Sequence, residues 1–243
     1  MRIASLAFVA LVAGLCLLAK PSRAAPATAS APPEVKLTYM PAAGADLIST
    51  RVGALIRAGG VDKQPLLSVV APDHPGTTLS DQPQLYWYIS EATELPVEIA
   101  IIEESSEERV YDFSIKGAAA GFHCLDLVKE GVHLDLNKRY QYVIAVIRNP
   151  GNRAKDLVAS GFVKRVKPPA ELAKRVSEAG GMERASMLLS SGVWYDGIAD
   201  LMKQIDAEKA DPRLLAARDS LLKQVGLGDL ASVQSVGATP TRP

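Results

Sequence analysis

The chain has 243 residues, 27 basic and 27 acidic side chains, 48% hydrophobic residues and two cysteines, Cys16 and Cys124. Balanced charge excludes the broad basic field that nucleic acid or an anionic membrane surface calls for, and two cysteines so far apart exclude a disulfide framework. The length suffices for an ordinary hydrophobic core.

Met1-Arg2 opens an apolar run over 3–19 that ends at Lys20-Pro21. A run of about 17 residues sits at the lower edge of what crosses a ~30 Å hydrocarbon core. Ser22-Arg23-Ala24 supplies the small-x-small pattern of a cleavage site, so residues 1–24 read as a signal peptide cut between Ala24 and Ala25. The competing reading is an uncleaved anchor. Cys16 lies mid-run after Leu15, which argues against a lipoprotein. Removing 1–24 takes Arg2, Lys20 and Arg23 away, leaving 24 basic against 27 acidic residues, and leaves Cys124 with no intramolecular partner. The expected location is the periplasm or cell envelope, with no membrane span in the mature chain.

Residues 25–45 are rich in Ala, Pro, Ser and Thr and read as a disordered tether. Residues 46–64 form an arm in which Arg51 and Arg57 stand among small residues. It reads either as an edge segment laid along the next domain or as a pair of guanidinium groups offered to an anionic partner.

Over 65–167 short runs rich in β-branched and aromatic residues recur between turn signals: 66–70, 84–90, 97–103, 109–115, 122–127, 139–148 and 157–166. The spacing predicts a seven-stranded antiparallel β-sandwich of the immunoglobulin or fibronectin type, within an α+β chain. Leu85, Trp87 and Ile89 fall on one strand face and Tyr86 and Tyr88 on the other. Trp87 suits the space between two sheets. Leu136-Asn-Lys-Arg-Tyr140 resembles a tyrosine corner, a role that Tyr142 could also take. Cys124, in a strand, reads as a buried inert thiol.

After Pro168-Pro169 the period becomes helical, giving a C-terminal helical region over 168–231 and a disordered tail over 232–243. Leu172 and Val176 mark a first short helix ended by Gly180-Gly181, and 183–191 a second. Trp194, Ile198, Leu201 and Ile205 form one stripe of a longer helix. Asp211-Pro212 caps the last, whose stripe is Leu214, Ala217, Leu221 and Val225. The region is weakly tetratricopeptide-like, but one unit and a half is too few for a solenoid.

Several stretches together carry a family resemblance: Leu66-Leu-Ser-Val-Val-Ala-Pro, Thr78-Leu-Ser-Asp-Gln-Pro-Gln-Leu-Tyr-Trp-Tyr, Asn137-Lys-Arg-Tyr, Gly161-Phe-Val-Lys-Arg-Val, Gly192-Val-Trp-Tyr-Asp-Gly-Ile and Leu221-Leu-Lys-Gln-Val-Gly-Leu. The chain resembles domain-of-unknown-function family 928, exported bacterial proteins, over about residues 50–231, most specifically over 78–88. The resemblance implies export, a strand-rich half and a helical half. It brings no established activity and no catalytic residues. The short, basic, glycine-poor arm around Arg51 departs from fuller members.

Residue chemistry is sparse. There is no Gly-x-Ser-x-Gly elbow, and Ser190-Ser191-Gly192 has no nearby histidine in sequence. His74, His123 and His133 lie near Asp73, Asp81, Asp126 and Asp135 but lack zinc spacing. Residues 103–108 hold four glutamates without the alternation that wraps calcium, and read as a solvated hairpin tip. No cofactor, metal or catalytic residue is expected. Tyr86 and Tyr88 are candidates to stack on sugar rings or anchor a protein if their face is open; the competing account has the C-terminal helices packed on that face. The preferred expectation is a non-enzymatic envelope module that binds an exported protein or a surface polymer, or serves in assembly, and does not bind nucleic acid. The alternative is a hydrolase of cell-wall or polysaccharide substrate, with its acid and base among Asp81, Asp126, Asp135 and Asp156.

Overall fold

A computed structural model describes residues 35–41, 65–208 and 211–231. The fold is mixed α+β, with two sheets and five helices among these residues. Strands β1 (Leu67–Val69), β3 (Gln84–Ile89) and β6 (Gly121–Asp126) form an antiparallel sheet in the order β1-β3-β6. Strands β2 (Gly76–Thr78), β8 (Leu157–Arg165), β7 (Arg139–Val146), β4 (Val97–Glu103) and β5 (Arg109–Ile115) form the other, in the order β2-β8-β7-β4-β5.

Strand alternation explains how the sheets meet. Val69 is paired with Trp87, and Trp87 with His123, so the three share a face. That face looks onto the five-stranded sheet at Gly161, where a Cβ would stand 3.1 Å from Val69 Cγ2 and 2.9 Å from Ala71 Cβ. Trp87 is thus between the sheets, stacked on the His123 ring at 4.1 Å between centroids. From the other sheet, Val97, Ile99, Ile101, Tyr140, Tyr142, Ile144, Val146, Ala159 and Val163 complete the shared core. The Tyr140 hydroxyl accepts a hydrogen bond from the Asp135 amide at 3.0 Å, so Tyr140 rather than Tyr142 makes the corner contact.

The expected seven antiparallel strands become eight, one pairing being parallel. Strand β2 runs parallel to β8 from Gly76 opposite Val163 to Thr78 opposite Arg165. Three residues are too few to display a period of two, and β2 takes its place from tertiary contact: a Cβ on Gly76 would lie 2.8 Å from Tyr195 Cε2. A single-turn helix α1 (Leu127–Glu130) also follows β6, capped by the Asp126 carboxylate, which accepts from the Val128 amide.

Four further helices follow: α2 (Ala170–Glu178), α3 (Gly181–Ser190), α4 (Trp194–Ala207) and α5 (Pro212–Gln224). Asp211 caps α5 by accepting from the Arg213 amide. Trp194 and Tyr195, in the first turn of α4, are fully buried. Trp194 donates to the Val70 carbonyl at 3.0 Å and Tyr195 to the Phe162 carbonyl at 2.7 Å, so one helical turn touches both sheets. Helices α3 and α4 approach closely at Gly197, where a Cβ would stand 2.6 Å from Leu189 Cγ. A second small apolar cluster, Val176, Leu188 and Val193 with Leu79 and Leu172, holds α2 in place.

One correction concerns the tether expected over 25–45. Residues 35–41 run extended along the helices: the Gln224 side chain accepts from the Tyr39 amide and donates to the Leu37 carbonyl, both at 2.9 Å. Leu37 and Tyr39 alternate inward, and the Tyr39 ring meets Trp194 edge-on at 5.0 Å. The rest of that stretch, the arm over 46–64 and the tail over 232–243 lie outside the described residues.

The close approach at Gly197 generates a test. Alanine ordinarily gains about 0.5–1 kcal/mol over glycine in a helix, but here the added methyl meets a buried Leu189 that has no space to retreat. Gly197→Ala is expected to destabilise the fold by about 1–3 kcal/mol, read as a lower urea midpoint at unchanged slope.

Candidate functional site

The candidate binding tyrosines are buried. Tyr86 is 7% and Tyr88 1% exposed, because α4 lies against β3 and α5 sends Arg218 over the neighbouring Phe122 ring at 4.8 Å. Burial pushes both hydroxyls above their ordinary range. Neither ring offers a stacking face to a ligand. Arg51 and Arg57, and the cleavage-site residues Ala24 and Ala25, lie outside the described residues.

The carboxylates named for hydrolysis are engaged separately. Asp81 pairs with His133 at 3.0 Å, a bond that lowers the Asp81 pKa. Asp126 accepts from Gln84 Nε2 besides capping α1. Asp135 pairs with Lys138 at 3.0 Å. Asp156 pairs with Arg153 and accepts from the Arg148 amide, at the opposite end of the long sheet. In the hairpin at 103–108, Glu103 accepts from the amides and hydroxyls of Ser105 and Ser106, which draw its pKa down to about 2. Among the described residues no group of three metal-ligating side chains gathers. Burial pushes the Cys124 thiol up to about 11, well away from a reactive thiolate.

The polar residues that do converge line a cleft of about 370 Å³ between the β2–β3 connection and the α3/α4 pair. Ser80 and Gln82 come from the connection, Gln84 from the start of β3, Asp126 from the end of β6, and Arg184, Asp196, Asp200 and Lys203 from the helices. Asp196 anchors the junction, accepting from the Thr78 hydroxyl at 2.7 Å and the Leu79 amide at 3.0 Å. Arg184 Nη1 donates to both oxygens of Asp200 at 2.8 Å. Burial raises the Asp200 pKa, while Arg184 and Lys203 oppose the rise. Lys203 is exposed and makes no ion pair among the described residues. Gln82 donates to the Leu127 carbonyl and Ser80 accepts from the Gln82 amide, which fixes the loop wall.

Sequence reasoning did not single out Arg184, Asp200 or Lys203. A signal existed: Asp196, Asp200 and Lys203 stand at i, i+4 and i+7, opposite the Trp194, Ile198 and Leu201 stripe. Nothing in the sequence said which element that polar stripe would face.

The cleft is built from stretches that carried the resemblance: 78–88 supplies its loop wall and 192–198 its Asp196. The family model described as Domain of Unknown Function (DUF928) matches residues 52–235. The chain belongs to that family. Among curated proteins none matches it. The DUF928 match spans both sheets and all five helices of the described fold.

Two histidines of this DUF928 protein, His74 and His123, are buried in the fold. His74 is buried, its Nε2 at 3.4 Å from the Tyr39 hydroxyl. His123 donates from Nε2 to the Ala119 carbonyl at 2.8 Å, while its buried Nδ1 has no hydrogen-bond partner among the described residues. Burial lowers its pKa below the ordinary 6.5, although the Ala119 bond acts the other way. The unfolded chain therefore takes up a proton near pH 6.5, and the folded chain only at lower pH. Stability owed to neutral His123 is whole above 6.5 and declines as the pH falls below it. His123→Phe should flatten that part of the stability curve relative to the unmodified protein, measured by urea unfolding at a series of pH values.

Proposed function

We propose that this DUF928 protein is a non-enzymatic module of the periplasm or cell envelope that binds a polar surface polymer in the α3/α4 cleft. The observation that carries the reading is the cleft's chemistry: amide, hydroxyl, carboxylate and ammonium groups of both signs in one concavity. Such a lining satisfies a ligand rich in hydroxyl and amide groups, whereas a strongly charged ligand would meet a like charge on one wall. Lys203 is the side chain with most to gain, since it makes no ion pair among the described residues.

Carboxylate-dependent hydrolysis of the same class of polymer is the weaker alternative. It needs two carboxyls unencumbered in one cleft, about 5–10 Å apart. In the cleft Asp126 and Asp196 are each spent on main-chain and side-chain donors, and Asp200 is held by Arg184. Export is supported by the apolar run over 3–19 and the small-x-small pattern at Ser22-Arg23-Ala24. Among the described residues no helix is long and apolar enough to cross a membrane. Kinship of the two-sheet body with immunoglobulin- and fibronectin-type sandwiches is part of the same proposal, supported by the contact between Tyr140 and Asp135.

Purified protein titrated with envelope polysaccharide and wall fragments should bind, and Lys203→Glu should weaken binding about tenfold or more while shifting unfolding by less than about 0.5 kcal/mol. No binding to these polymers or on glycan arrays would sink the reading, and release of reducing ends would favour the hydrolase. Mass spectrometry of protein from the envelope fraction is expected to find a chain starting at Ala25. An intact precursor would place it on an anchor instead.

A further inference from the structure

A second concavity, of about 650 Å³, adjoins the α3/α4 cleft. Ser80, Arg184 and Asp196 line both, so the two share one ridge. The charges on that ridge are held from within the protein: Arg184 Nη1 donates to both oxygens of Asp200, and Asp196 accepts from the Thr78 hydroxyl and the Leu79 amide. A neutral ligand that crosses it leaves neither charge without a partner.

Beyond the ridge the chemistry changes. Leu79, Pro168, Ala173, Val176 and Ala179 line the second concavity, and among the described residues Ser177 supplies its only other polar side chain. Ala173 and Ser177 are exposed and stand four apart on α2, one above the other on the same helix face. Gly180 and Gly181 carry the chain into α3 and put no side chain in the mouth, since even a Cβ on Gly180 would meet nothing within 4 Å. The charged side chains nearby in sequence, Lys167, Glu171, Lys174, Arg175, Glu178 and Glu183, are exposed, are balanced in sign and line neither concavity. Among the described residues no aromatic ring lines either one, so neither offers a platform for the face of a sugar ring.

We propose that the second concavity is a subsite for the acyl groups of an acylated, otherwise neutral polysaccharide whose chain lies in the α3/α4 cleft. The subsite presupposes that the cleft itself holds the polymer, and it names that ligand more closely. A bare sugar unit beyond the ridge would give up water from its hydroxyls with one serine side chain to replace it. An acetyl methyl needs only apolar contact, and each one buried there is worth about fourfold in affinity. Arg184 spends only Nη1 on Asp200, which leaves the guanidinium with N–H donors at the ridge for the acyl carbonyl. A charged substituent gains nothing from a lining that carries no charge past the ridge.

Isothermal titration of the purified protein with O-acetylated glucomannan and xylan oligosaccharides, and with the same oligosaccharides after alkaline deacetylation, tests the subsite. The acetylated forms should bind about fourfold or more tighter. Ala173→Glu, and separately Ser177→Glu, both at exposed positions, should abolish that preference while leaving the affinity for the deacetylated forms and the circular dichroism spectrum unchanged. Lys203→Glu should weaken both forms alike. Equal affinity for the two forms, a preference for the deacetylated ones, or a preference that survives both α2 substitutions overturns the subsite and leaves the cleft reading standing. Binding of neither form sinks both.

Discussion

The docking of the first turn of α4 is the constraint on which the rest of the fold depends. Three consecutive residues reach three separate strands or strand ends: Trp194 to Val70 after β1, Tyr195 to Phe162 in β8, and Asp196 to Thr78 at the end of β2. Burial of the two aromatic rings supplies most of the energy, about 1.5–3 kcal/mol for a fully buried large side chain, against a net of about 0.5–1.5 kcal/mol per hydrogen bond. The hydrogen bonds decide where the rings go. Any other seating of the helix would leave an indole N–H or a phenol O–H buried and unpaired, at a cost of about 1–3 kcal/mol each. Gly76 and Gly197 give the room, one for the Tyr195 ring and one for Leu189.

The same turn explains why the cleft exists where it does. Asp196 ties the β2–β3 connection to α4, and one and two turns further along the helix Asp200 and Lys203 face the space this leaves. Carboxylates here act as joints, and their surroundings set their character. Glu103, wrapped by four serine donors, is held ionised, whereas Asp200, sunk between helices, is pushed the other way.

Much of this was legible from residues alone. The stretches 97–103 and 109–115 coincide with β4 and β5, because each is rich in β-branched and aromatic residues, alternates over most of its length and is bounded by charged turn residues. The helices announced themselves through the Trp194 stripe and the Asp211-Pro212 start. What escaped was tertiary in origin: β2, too short to carry a pattern; residues 35–41, whose composition reads as a linker but whose main chain is clasped by Gln224; and the cleft, whose walls are more than a hundred residues apart in sequence. Local propensity cannot report partners so distant. For Tyr86 and Tyr88 the sequence posed the right question, since the apolar stripe of α4 needed a surface, and packing answered it.

Chain order has a consequence for how this protein must be made. Tyr86, Tyr88 and Phe122 belong to strands that emerge early, while the helices that shelter them, α4 and α5, emerge among the last residues. A chain delivered from its N-terminus assembles its sheets first and waits with an aromatic face bare to water. Until the final helices arrive, that face is the adhesive surface of a half-made molecule.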